Sequence, residues 1–233
     1  MNFHIVTYAT HDSGRFAELI NNKFNITVKV IGFGNEWKGF IDKMIAINQY
    51  VKTLPEDDVI IFVDGFDTLI YQPLDLIKSR FLEFNKNIVL SNDCYNFGYA
   101  ITEQSFGKCY DKLIANAGMY AGYCKHINKL LDYILHRNYS DDDQRCLNHA
   151  CAEFKNDIII DVKNRLFHNQ NYYERYFNNK SDACFVSTPG DLTWERIKRA
   201  PGEYLQFFWK DVTIILLLIC VIYLTYKYIT LIS

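Results

Sequence analysis

The stretch VIIFVDGFDTLI, residues 59–70, decides the fold. Its first five residues, Val59 to Val63, are continuously apolar rather than alternating, which predicts a strand buried on both faces, as in a central parallel strand of a βαβ sheet. That strand delivers Asp64 and Asp67 at its carboxyl end, with Gly65 and Phe66 between them. Ligands of open α/β sheets bind beyond the carboxyl ends of the strands. Chemistry is therefore expected in the loops after Ala9, Gly32 and Val63.

On either side of this stretch, strand-like runs alternate with helical patterns. Strands are expected at Phe3 to Ala9, Ile26 to Gly32, Ile88 to Ser91, Ile158 to Ile160 and Cys184 to Ser187. Helices are expected near Gly14 to Lys23, Phe40 to Thr53, Leu74 to Phe84, Ile127 to His136 and Asp141 to Glu153. A long polar and aromatic stretch runs from Asn92 to Asn116, followed by a short apolar segment, Met119 to Gly122. No repeat or linker divides this part.

The chain has 233 residues, 49% apolar and 22% charged, which excludes disorder and leaves room for one large α/β domain. With 25 basic against 27 acidic residues and a formal charge of −2, it lacks the excess that nucleic-acid binding by bulk charge requires. Seven cysteines, an odd number with no C-x-x-C pair, read as reduced, half-buried thiols rather than a disulfide framework or a zinc site.

Residues 1–14 lack a basic n-region and do not read as a signal peptide. Residues 212–232 hold 21 positions with one charge, Lys227. As a helix they would span about 32 Å, against a bilayer core of about 30 Å, so one C-terminal transmembrane helix is expected after a juxtamembrane segment, 196–211. Arg196, Lys198, Arg199 and Lys210 lie upstream. The basic-flank rule then favours a cytosolic catalytic domain on a membrane tail anchor, with lumenal placement left open.

Two hard carboxylates three positions apart, Asp64 and Asp67, can share a divalent cation that bridges to a diphosphate. The same residues also suit an ordinary acidic turn. A D-x-D phosphatase needs its aspartates two apart, so it fits poorly. Asn116, Ala117 and Gly118 bring small residues that let a backbone approach a substrate, and Asp141, Asp142, Asp143 and Gln144 follow. Those carboxylates can bind sugar hydroxyls or stabilise a cationic anomeric carbon. They can equally be the acidic cap of a helix.

Five motifs in order carry a resemblance. They are G-x-G-x-E-W-x-G (Gly32, Gly34, Glu36, Trp37, Gly39), the strand ending in D-x-F-D, N-A-G-x-x-A-G from Asn116, D-D-D-Q from Asp141, and DVKNRLFHNQN from Asp161 to Asn171. From about Phe3 to Asp191 the chain resembles the glycosyltransferase domain of the multifunctional procollagen lysyl hydroxylases and, more loosely, collagen galactosyltransferases. The resemblance implies a GT-A fold, a Rossmann-related, mostly parallel sheet flanked by helices, over residues 1–195. It also implies a UDP-sugar donor, manganese and retention of anomeric configuration.

Carried over by residue, the resemblance puts the metal on Asp64 and Asp67, the uracil against Phe66 and the nucleotide near Thr10. It puts Lys43 near the donor, Asn116 and Gly118 along the donor sugar, and acceptor and sugar contacts at Asp141 to Asp143 and Gln144. Trp37 is expected to support the fold. The family's third metal ligand, a histidine, is replaced by Ser187. Asp191 is one substitute for it, and His168 a weaker one.

The reading is a membrane-tethered transferase that moves glucose or galactose from UDP to a hydroxyl acceptor, such as hydroxylysine or a glycan, with no nucleic-acid partner. Its rival is a non-catalytic membrane-anchored binding protein on a degenerate transferase scaffold, motivated by Ser187.

Overall fold

A computed structural model describes residues 1–95, 98–171, 174, 180–189, 212–228 and 230. The chain divides into two units, Met1–Pro189 and Gly190–Ser233.

The first unit is built on a six-stranded sheet of β1 (Phe3–Tyr8), β2 (Val28–Ile31), β3 (Val59–Val63), β5 (Ile88–Asn92), β6 (Ala115–Tyr123) and β7 (Ile158–Asp161). The strand order is β2-β1-β3-β6-β5-β7. β1 pairs in parallel with β2 and β3, and β5 with β7, while β6 runs antiparallel to both its neighbours. A smaller sheet has the order β4-β9-β8, from β4 (Thr68–Ile70), β8 (Phe167–Asn169) and β9 (Phe185–Ser187).

The continuous apolar run is explained by cover on both sides. Successive strand side chains point to opposite faces. Ile60 and Phe62 pack with Met44 and Ile47 of helix α2 (Phe40–Val51), with Leu130 of α5 (Cys124–Arg137) and with Leu147 of α6 (Asp143–Ala150). Val59, Ile61 and Val63 pack instead with Leu19 of α1 (Phe16–Ile20), Ile77 and Phe81 of α3 (Leu74–Glu83), and Phe167 and Phe185 of the smaller sheet. All five β3 residues are fully buried.

Several expectations change here. β3 has a parallel neighbour on one side only, because β6 lies on the other. The short apolar segment Met119 to Gly122 is the end of a nine-residue strand. Its glycines and alanines hid the strand because they carry little β propensity. The expected helix Gly14 to Lys23 shrinks to five residues. β4, β8 and α4 (Tyr99–Phe106) were not foreseen.

Cys109 and Cys151 form a disulfide, which overturns the reading of all cysteines as thiols; Cys94, Cys124, Cys146, Cys184 and Cys220 are free. The two partners stand 42 residues apart, and the fold alone brings them together.

In the second unit, residues 212–228 are helical with exposed apolar side chains. Among the described residues no helix is long and apolar enough to cross a membrane, so the expected transmembrane helix over 212–232 is not found. The juxtamembrane segment and Asp191 lie outside the described residues.

Candidate active site

The carboxyl end of β3 is continued by a backbone bond from the Asp64 amide to the Gly118 carbonyl, 2.7 Å, on the antiparallel β6. A side chain at Gly118 would place its Cβ 2.6 Å from Asp64 Oδ2 and 2.9 Å from Asn116 Oδ1. Only glycine allows this approach. Asn116 Oδ1 accepts the Gly118 amide at 2.8 Å, so the stretch 116–118 is folded around the carboxylate.

Lys43 arrives from α2. Its 43, 47, 51 spacing puts it on the buried face with Ile47 and Val51. The ammonium donates to Asp64 Oδ1 at 3.1 Å and pairs with Asp143 Oδ2 at 2.6 Å. Burial disfavours the ammonium, yet Asp143 and Asp64 overcome this and hold its pKa above the ordinary value. Asp64, with 35% of its side chain exposed, is also shifted upward, to about 7. Burial raises its pKa, the Lys43 charge opposes, and the like charges of Asp67 and Asp143 add to the rise.

α6 supplies the far side. Asp142 caps it, accepting the Arg145 amide at 2.7 Å, and burial together with the Asp143 charge pushes the Asp142 carboxyl up to about 6. Asp143 turns inward to Lys43, whereas Asp141 is exposed and stands apart. Gln144 Oε1 accepts from Asn116 Nδ2 at 3.3 Å, and its Nε2 donates to Asp93 Oδ2 at 2.7 Å. Asp93 was missed in the sequence. It follows the apolar strand β5 as Asp64 follows β3, which was a usable signal.

On the nucleotide side expected from the resemblance, the Thr10 hydroxyl lies 2.9 Å from His11 Nδ1, and the His11 ring tilts against Phe66 at 5.1 Å between centroids. The Arg15 amide donates to the Phe66 carbonyl at 2.8 Å. Gly14, at φ +57°, is required there, since a Cβ would meet that carbonyl oxygen at 2.2 Å. Trp37 packs on Tyr8 and Phe40 with 45% of it exposed.

Asp67 is held by the smaller sheet: its Oδ1 accepts from the Ser187 hydroxyl at 3.0 Å and the Thr68 hydroxyl at 3.2 Å. His168 lies against Ser181 and Glu174 instead, which removes it as a substitute ligand. The DVKNRLF segment is a folding device, because the Asp161 carboxylate accepts the amides of Arg165, Leu166 and Phe167 and turns β7 into β8.

Among the described residues, no three His, Cys, Asp or Glu side chains gather as a ready metal site. Asp64 and Asp67 nonetheless suit a hard divalent cation: both offer carboxylate oxygens, the donor type such a cation prefers. They fit as two ligands of a cation whose other positions a substrate or water fills.

A mixed α/β fold of this kind has solved counterparts among glycosyltransferases. A glycosyltransferase involved in the glycosylation of the major capsid of PBCV-1 superposes with a TM-score of 0.54 at 12% identity, covering 85% of this chain and 98% of its own. The WbbM bifunctional glycosyltransferase gives 0.50 at 12%, covering 82% and 46%. These likenesses establish a GT-A-like glycosyltransferase fold.

The chain belongs to the PLOD GT domain family, which matches residues 1–183. It is 25% identical over 185 residues to the multifunctional procollagen lysine hydroxylase and glycosyltransferase LH3 of Rattus norvegicus, covering 72% of this chain and 25% of that protein. It is 31% identical over 159 residues to the procollagen-lysine,2-oxoglutarate 5-dioxygenase 2 of Mus musculus, covering 60% and 21%. The chain thus spans about a quarter of the length of the relatives it matches.

Proposed function

We propose that residues 1–195 transfer a hexose, glucose or galactose, from UDP to a hydroxyl acceptor with retention of configuration. The observation that carries this reading is the Lys43–Asp64–Asp143 cluster closed over Gly118 at the carboxyl end of β3, within a PLOD GT domain.

In this reading Thr10 and Phe66 receive the nucleotide, and Asn116 and Gly118 line the donor sugar. Lys43 faces the diphosphate while keeping Asp64 and Asp143 apart. Asp64 and Asp67 would hold a divalent cation, manganese by the family resemblance, which neutralises charge on a departing diphosphate when bound. The bond from the anomeric carbon to the diphosphate oxygen breaks and one to the acceptor oxygen forms. The acceptor's proton passes to the departing phosphate. Asp142, Asp143 and Gln144 orient the acceptor and favour positive charge on the anomeric carbon. Asp141, being exposed, would meet only an acceptor that extends outward.

The test is UDP release from UDP-glucose and UDP-galactose, with and without manganese. Manganese-dependent release with one sugar, lost in Asp64→Asn, is the expected result. Tight UDP binding with no turnover of either sugar would replace the transferase by a binding protein on the same scaffold.

For location, we read the exposed apolar helix 212–228 as a membrane-associated segment. The Cys109–Cys151 disulfide favours an oxidising compartment for the domain over the cytosolic side suggested by the basic flank.

A further inference from the structure

β9 carries a role that its three residues do not suggest. Thr68 of β4 is paired in register with Ser187 of β9, and this pairing sets two hydroxyls beside Asp67. The Ser187 and Thr68 hydroxyls both donate to Oδ1, at 3.0 and 3.2 Å. The backbone is held as well: the Thr188 amide donates to the Asp67 carbonyl at 3.0 Å, and the Thr188 hydroxyl lies 3.4 Å from the same oxygen. Thr68, Ser187 and Thr188 are all buried. Hydrogen bonds from neutral hydroxyls fix the direction of a carboxylate without cancelling its charge. Asp64, in contrast, is held by a cation, Lys43. Two carboxylates at one rim are thus secured in different ways, Asp64 by an ammonium and Asp67 through hydroxyls on Oδ1.

We propose that Ser187 is a positioning residue for a divalent cation, orienting Asp67 through Oδ1 rather than ligating the metal itself. This rests on reading Asp64 and Asp67 as the residues that hold the cation. A neutral hydroxyl is a poor ligand beside a carboxylate, but partners that orient a ligand commonly set metal affinity by 10- to 100-fold.

The experiment is titration of the full chain with manganese chloride, following free Mn2+ by electron paramagnetic resonance, with and without UDP. Ser187→Ala should weaken Mn2+ binding about 10- to 100-fold, with UDP binding in the absence of metal unchanged. Because Ala in a buried strand can disturb folding, Ser187→Thr and Ser187→Val form an isosteric pair. Thr should bind Mn2+ within about threefold of the parent chain, and Val should match Ala. Equal affinity in the Thr and Val variants, with binding lost in Asp67→Asn, would overturn the role of Ser187 and leave the cation site standing. Mn2+ binding unaffected by both Asp64→Asn and Asp67→Asn would overturn the cation site, and the role of Ser187 with it.

Discussion

Lys43 is the residue on which the rim balances. Among the described residues it is the partner of Asp143 Oδ2, an oxygen with no other hydrogen-bond donor. Lys43→Met would leave that buried carboxylate uncompensated, and removing one partner of a buried pair costs about 3–5 kcal/mol. Urea unfolding at pH 7 should show this loss; a loss below about 1 kcal/mol would contradict it. Gly118→Ala addresses geometry instead of charge. Its Cβ would lie 2.6 Å from Asp64 Oδ2, so the carboxylate must shift. A displacement near 1 Å can cost about 100-fold in rate, so turnover should fall by at least tenfold while the melting temperature moves little.

Elements at opposite ends of the sheet separate stability from chemistry. At the amino end, Asp58 accepts from the Asn2 amide at 2.6 Å and lies 3.0 Å from His4 Nε2, bonds that hold its carboxyl down at about 2 from an ordinary 3.8. A depressed carboxyl contributes stability that is complete above its unfolded value and disappears as pH falls through the folded one. The urea midpoint should therefore drop between pH 4 and pH 2, and Asp58→Asn should flatten that part of the profile. An unchanged slope in the variant would assign the acid transition elsewhere. The Cys109–Cys151 bond ties the turn before β6 to the end of α6. Closing a loop of about 40 residues is worth about 4 kcal/mol by chain entropy, so Cys109→Ser with Cys151→Ser should lower unfolding stability by up to that amount.

The sequence made some elements legible and hid others for physical reasons. β3, α2 and α3 show because each buries enough side chains to impose its own period, and Val59–Val63 matches its expected bounds. β4 and β8, at three residues each, are too short for a period, and β4 finds its partner about 120 positions away. At the rim, Asp64, Asp67 and the acidic run are visible as residue types. The inward turn of Asp143 and the capping role of Asp142 are not, because neighbouring aspartates look alike until a helix fixes which one faces the core.

At the scale of the whole molecule, the exposed apolar helix 212–228 sets the expected behaviour. With Ile214 to Tyr228 largely apolar and exposed, the full chain should co-sediment with lipid vesicles, and a chain ending at residue 189 should remain in the supernatant. Recovery of both in the supernatant would remove the membrane from the proposed location. The shorter chain should still unfold cooperatively, since it carries both hydrophobic clusters.

The reversal of β6 has one more consequence. Because it runs against β3, its beginning rather than its end meets the rim, and Asn116 and Gly118 reach Asp64 from a stretch of chain remote from the loops after β1 and β3. In the proposed reading, donor base and transferred sugar would thereby be served by separate passages of the polypeptide. Substitutions that retune sugar choice could then accumulate in one passage without rewriting a grip on the nucleotide in the other.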